Sequence, residues 1–196
     1  MTSDENAQET AARPSGHAFG FFEQLSFLWF ELSGLKHGIP LCLFNPESWI
    51  VLHYRLDRAF YLMIGNRWRF IRLVLFPLRV IAHNVGASFE VPYGADIGKG
   101  FRVLHPCLGV VIHSDTVCGE NLCLAGGNAV GIDKAIPGSN NFLGNNVFVG
   151  VNATIMGPVR IGDNVKIGAN SVVTHDVVNM AIVGGVPARV IRVKQT

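Results

Sequence analysis

The sequence predicts a mainly β fold, a parallel β-coil of six-residue repeats preceded by an α-helical region. Three observations predict it. An aliphatic residue recurs at every sixth position along the C-terminal half, often followed by Gly; residues 1–89 hold six glycines and all three tryptophans, whereas residues 90–196 hold sixteen glycines and no tryptophan; and two long Leu- and Phe-rich runs without internal turn residues precede the repeat. With 196 residues, 49% apolar and 15% charged, the chain has ample material for a core, which excludes disorder throughout. A net charge of +2 from 16 basic and 14 acidic residues supplies no large uniform field, so no nucleic-acid partner is expected. Cys42, Cys107, Cys118 and Cys123 form no CxxC pair or regular framework, as a reducing compartment permits, and the cytoplasm is the expected location.

Residues 1–18 are polar and lack the basic start and apolar centre of a secretory signal, so they are expected to form a loose tail. Residues 19–88 are expected to be helical. Phe21–Lys36 and Trp49–Ile64 are too long and too rich in bulky apolar residues for strands, and Asn45-Pro46-Glu47-Ser48 between them is a helix-start signal. A third helix is expected over Arg67–Ala82, bent or interrupted at Pro77. Between Ser48 and Ser88 six arginines (55, 58, 67, 69, 72 and 79) face one acid, Asp57. Two readings fit that asymmetry: a basic, aromatic-rich face lying on an anionic membrane, or a helical bundle whose arginines snorkel from an apolar side, the commoner outcome. No stretch is long enough without arginine to span a bilayer.

Residues 89–183 carry the repeat. Its aliphatic positions are Val91, Ile97 and Val103; then, after a three-residue slip, Ile112, Cys118, Leu124 and Val130; then Leu143, Val149, Ile155, Ile161, Ile167 and Val173. Thirteen rungs make about four coils. A coil with three short flat sides points one such side chain inward per side, where it stacks on its equivalents one coil away. Gly or Asn at the corners, as in Gly144-Asn145-Asn146, Asp163-Asn164 and Ala169-Asn170, suits backbone conformations that are costly for other residues. Residues 184–196 are expected to be a C-terminal tail.

A regular prism offers smooth sides, so the two breaks in phase are the places to look for chemistry. One holds His105-Pro106-Cys107-Leu108-Gly109, and the other is the eleven-residue loop Ile132–Phe142. His105 is the leading catalytic candidate, because an imidazole can take a hydroxyl proton and return it to a leaving group near neutral pH. A single histidine is more often structural, and the other six lie before the repeat or on regular rungs. Cys107 could act as a nucleophile with His105 as its base, although neighbours on an extended strand point to opposite sides and Cys107 can equally be a packed residue.

The hexapeptide run, the ending IGANSVVTHDVVNMAIVGGVPARVI and the stretch Glu90–Val130 resemble the left-handed β-helix acyltransferases, in particular the serine acetyltransferase branch and its relatives in capsule and exopolysaccharide synthesis. The resemblance covers roughly Pro46 to Val193. It implies a left-handed β-helix, acetyl-CoA as acyl donor, no metal, and a homotrimer with active sites between subunits, with a dimer of trimers joined through the helical regions as the alternative assembly. It also implies His105 as general base and Glu90, Glu where Asp is usual, as the carboxylate that orients it; counting by eighteen would set Glu90 beneath Leu108 instead. Gly131, Val151 and Ala169 match acetyl-CoA positions, and Arg189, Arg192 and Lys194 form a basic end suited to CoA phosphates.

The serine enzymes carry an acid before the catalytic His and an Arg-His pair in the overhanging loop, where this chain has Leu104, Ser139 and Asn140. These positions offer no charge to a zwitterion, whereas Ser139, Asn140 and Asn141 can hydrogen-bond a polyol. The expected reaction is therefore O-acetylation of a sugar hydroxyl in capsule, exopolysaccharide or O-antigen synthesis, with serine O-acetylation for cysteine biosynthesis as the alternative. A lipid-linked acceptor would bring the basic helices to the inner face of the membrane. Two rival classes remain: a metal-dependent hydratase resembling the γ-class carbonic anhydrases, for which His105 and His113 lack a third partner, and a non-catalytic scaffold, which would need neither the His-bearing slip nor the loop.

Overall fold

The computed structural model describes residues 19–33, 46–74, 89–132 and 140–193. The N-terminal tail, Cys42, Asn45, Pro77, Ser139 and Lys194 lie outside the described residues. Among the described residues three helices come first: α1 (Phe21–Ser33), α2 (Pro46–Ile64) and α3 (Arg67–Val74). None is long and apolar enough to cross a membrane.

Fifteen short strands follow among the described residues, β1 (Phe89–Glu90) to β15 (Ala188–Val193), and nearly all stack in parallel into the three faces of a β-coil. One face is β1-β4-β7-β10-β13, with β4 at Val110–Ile112, β7 at Asn128–Ile132, β10 at Thr154–Gly157 and β13 at Val172–Val173. A second runs through β11 (Arg160–Ile161), β8 (Asn141–Leu143), β5 (Thr116–Cys118) and β2 (Asp96–Ile97), and the third through β15, β14 (Ala181–Gly185), β12 (Lys166–Ile167), β9 (Phe148–Val149), β6 (Cys123–Leu124) and β3 (Arg102–Val103). All thirteen predicted rung residues are buried in one continuous core. A second inward row lies two residues before each rung, because side chains on a short strand alternate sides. That row is mostly apolar, as at Phe101, Leu122, Val147, Ala153, Val159 and Val165, yet it holds the buried polar residues Thr116, Asn128, Asn141 and Ser171.

The corners turn where asparagine was expected. Asn121, Asn146, Asn152, Asn164 and Asn170 all have φ between 55° and 58°, a region asparagine tolerates better than residues with larger side chains. Their side chains continue the stack: the Asn121 amide donates to Asn146 Oδ1 at 2.9 Å, and the Asn146 amide to Asn164 Oδ1 at 3.2 Å. Past the last full coil, residues 184–193 belong to an antiparallel hairpin of β14 (Ala181–Gly185) and β15.

The helices cap the first coil through a buried polar joint. Ile50, Val51 and Tyr54 of α2 join the solenoid core. Arg55, fully buried, donates to both oxygens of Glu31 on α1 (3.0 and 2.6 Å), to Gln24 (2.9 Å) and to the carbonyls of Ile97 and Gly98 (2.7 Å each). Glu31 in turn accepts from the N–H groups of Gly100 and Phe101. Arg58 donates to the Tyr93 carbonyl at 2.7 Å and pairs with Asp96 at 2.8 Å. Burial pushes the Asp96 carboxyl up, with the Arg58 charge opposing it. Arg72 reaches Asp57 at 3.4 Å and lies over the Tyr93 ring. Three of the arginines that made this segment basic are thus engaged within the chain. Arg55 and Arg58, buried against carbonyls and carboxylates, are unavailable to lipid headgroups, while Arg67 and Arg69 stay exposed.

Candidate active site

His105 stands where the coil is interrupted. Phe89 of β1 faces Val110 of β4, twenty-one residues on, whereas Val110 faces Asn128 of β7 after the regular eighteen. The three extra residues are taken up by a single 3-10 turn, Pro106–Leu108, for which His105 is the N-cap and Gly109 (φ 82°) the exit. The His105 carbonyl accepts from Leu108 N–H, and its own N–H donates to the Ala125 carbonyl, both at 3.1 Å. Its side chain is exposed at the edge of the first face. The next coil passes close beneath it at Gly126 (φ 120°) and Gly127 (φ 68°). A Cβ at Gly126 would overlap the His105 carbonyl oxygen and come within 3.2 Å of its Cβ, so only glycine fits this crossing.

Asn128 completes the floor. Fully inside the coil, it accepts from Gly126 N–H at 2.8 Å and donates to the Gly150 carbonyl at 2.7 Å, with a longer contact to Ala153. The nearby amides of Gly109 and Gly127 are engaged as well, donating to Pro106 and Gly109 carbonyls.

Because the slip is three residues long, Glu90 sits opposite Val111 rather than beneath Leu108, which corrects the stacking expected from a uniform eighteen-residue coil. Glu90 is exposed and lines, with Phe89, Leu108, Gly109, Val111 and the Gly127–Ala129 floor, an open depression of about 320 Å³. No hydrogen bond or ion pair links Glu90 to His105. Cys107 is exposed and lies on the 3-10 turn rather than on an extended strand, so neither the packed role nor the strand argument applies to it. Cys118 is a core rung whose thiol is pushed up by burial, and by the charge of Asp96.

Val151 and Ala169 stack one coil apart, as their spacing required: Asn170 N–H donates to the Val151 carbonyl at 2.9 Å. Gly131 lies on β7 opposite Met156 of β10, whose sulfur would touch a Cβ there. Arg189 and Arg192 are exposed on β15 rather than in a loose tail. Of the loop residues expected to bind substrate, Asn140 is half-buried, and Asn141 is fully buried with its amide donating to the Gly131 carbonyl and accepting from Val159 N–H. An amide turned into the coil and satisfied at both ends cannot also face a substrate, so Asn141 is a structural residue. Among the described residues, no cluster of three or more His, Cys, Asp or Glu is arranged to hold a metal ion.

The family model described as bacterial transferase hexapeptide (six repeats) matches residues 142–175. The serine acetyltransferase of Helicobacter pylori strain 26695 is 35% identical over 135 residues, covering 68% of this chain and 74% of the relative. That of Synechococcus elongatus is 37% identical over 159 residues, covering 80% of this chain and 61% of the relative, so the chain spans about three fifths of that protein's length. This chain belongs to the serine acetyltransferase family. Soybean serine acetyltransferase, solved as apoenzyme and complexed with serine, superposes with a TM-score of 0.69 at 28% identity, over 86% of this chain.

Membership in the serine acetyltransferase family makes the fold a left-handed β-helix and overturns the expected sugar acceptor and polysaccharide role, since the relatives it matches are serine acetyltransferases. That expectation treated three neutral positions, Leu104, Ser139 and Asn140, as evidence against a charged acceptor. A carboxylate can equally be held by backbone N–H groups or by charges from other elements, so neutral side chains at three positions exclude nothing. The features of this candidate site that sequence reading missed are Gly126, Gly127 and Asn128. Their signal was present: a Gly-Gly pair beside an amide on a row that elsewhere is mostly aliphatic.

Proposed function

We propose that this chain transfers the acetyl group of acetyl-CoA to the hydroxyl of serine, with His105 as general base. The observation that carries the reading is the exposed imidazole held at a 3-10 interruption of the coil, on a chain whose relatives are named for this reaction. His105 takes the serine hydroxyl proton as that oxygen attacks the thioester carbonyl. The tetrahedral intermediate then collapses with loss of the CoA thiolate, which receives the proton from the imidazolium, so that O-acetylserine and CoA leave and the ring returns to its neutral state. Glu90, on the rim of the depression that Leu108 and Gly109 of the His105 turn also line, orients the imidazole once substrates are bound, since catalytic hydrogen bonds often tighten only in the complex.

The acetyl-CoA pantetheine arm runs along the later coils past Gly131, Val151 and Ala169, and Arg189, Arg192 and Lys194 meet its phosphates. Because His105 stands on an open edge of the single chain, a neighbouring subunit closes the crevice, in keeping with a homotrimer. The test is release of thiol from acetyl-CoA in the presence of serine. His105→Ala is expected to lower kcat by about 10²–10⁴-fold, with Cys107→Ala near wild type. Loss of activity in Cys107→Ala, with His105→Ala active, would replace direct transfer by an acyl-enzyme route.

A further inference from the structure

We propose that Asn128 is a positioning residue for His105, its buried carboxamide holding the Gly126 backbone as the seat on which the histidine rests. This rests on the reading of His105 as the base. Among the described residues the His105 ring has no hydrogen-bond or ion-pair partner, so the main chain supplies its placement. That main chain is held at three points: its N–H on Ala125, its carbonyl on Leu108 N–H, and the close packing of Gly126 under the peptide. Gly126 is itself in a conformation few residues adopt, and its N–H has one partner, Asn128 Oδ1 at 2.8 Å. The other end of the same amide is anchored on the following coil, at the carbonyls of Gly150 and Ala153. One side chain therefore ties the strand under the base to the rigid stack beyond it.

Apolar residues fill the same inward row at Val110, Val147, Val159 and Val165. A valine at 128 would fill space but leave Gly126 N–H without a partner inside the coil and the Gly150 carbonyl with Ala153 N–H alone. Stacking alone does not require an amide here. The position directly under the catalytic turn does, because the Gly126–Gly127 crossing has no side chains of its own to define it.

The experiment compares Asn128→Ala with Ser171→Ala, which removes another buried polar group of the same row, a hydroxyl bonded to Gly185 N–H at 3.3 Å and remote in sequence from the turn. Both are assayed at temperatures where circular dichroism shows them folded. Asn128→Ala is expected to lower kcat about tenfold or more, with KM for serine and acetyl-CoA changed less than about threefold, the pattern of a misplaced base. The His105 imidazole and amide resonances, followed by NMR across pH without substrate, are expected to shift in Asn128→Ala and not in Ser171→Ala. Wild-type kcat together with unchanged His105 resonances in Asn128→Ala overturns the proposal. If His105→Ala retains activity while the resonances still move, the role of His105 as base has failed and the positioning contact stands.

Discussion

Gly126→Ala gives the sharpest probe of the His105 seat. At φ 120° an alanine is strained wherever it points, at about 1–3 kcal/mol. The added methyl also overlaps the His105 carbonyl oxygen and lies 3.2 Å from both its carbonyl carbon and its Cβ. Relief requires the histidine backbone to move by roughly 1 Å, a displacement that costs about 100-fold in rate when the moved group is the one that takes the proton. The expected result is a folded protein, its Tm lowered by roughly 2–10 °C, with kcat down about 100-fold in the thiol-release assay. Gly65→Ala is the control: φ is 65° and nothing lies within 4 Å of the new methyl, so it carries strain in the backbone without a clash and leaves kcat unchanged. Activity of Gly126→Ala within about threefold of wild type would refute the close seat and the reasoning built on it.

Other consequences are open to test. Arg55→Ala leaves Glu31 buried without its guanidinium and is expected to cost about 3–5 kcal/mol; hydrogen exchange should show α1 losing protection while β10 and β13 keep theirs, and equal loss throughout would contradict a local joint. Burial pushes the Tyr54 phenol up to about 12 from 10, so the unfolded chain loses this proton first as pH rises. Stability is then intact below pH 10 and falls between about pH 10 and 12, by roughly 3 kcal/mol, and Tyr54→Phe should flatten that part of a urea-midpoint profile, though it also loses the hydroxyl bonds to Ala95 and Ile97. Ala169→Trp, on an exposed position, is expected to raise KM for acetyl-CoA at least tenfold with KM for serine little changed; an unchanged KM would move the cofactor path elsewhere.

The coil was legible because every inward position answers to one local rule. An aliphatic residue at each sixth place and asparagine where φ turns positive are properties of single residues, repeated, and the thirteen rungs and the corner asparagines follow them. The irregular turn at His105 was legible for the same reason, as a break in phase. Which residues meet across that break was not. Glu90 pairs with Val111 because the insertion lengthens one coil by three, and Asn141 faces inward because its place on the second row precedes rung Leu143 by two.

The charge of the helical region shows the same division. Composition counts six arginines, but only the packing of α2 against the first coil decides that Arg55 and Arg58 are buried while Arg67 and Arg69 stay exposed. Periodicity, turn chemistry and the isolated histidine belong to the chain as written, since each depends on neighbours within a few residues. The seat under His105, the Asn128 tie and the Arg55 joint exist only in the folded chain, because each depends on groups twenty or more residues apart whose separation is set by how the coils stack.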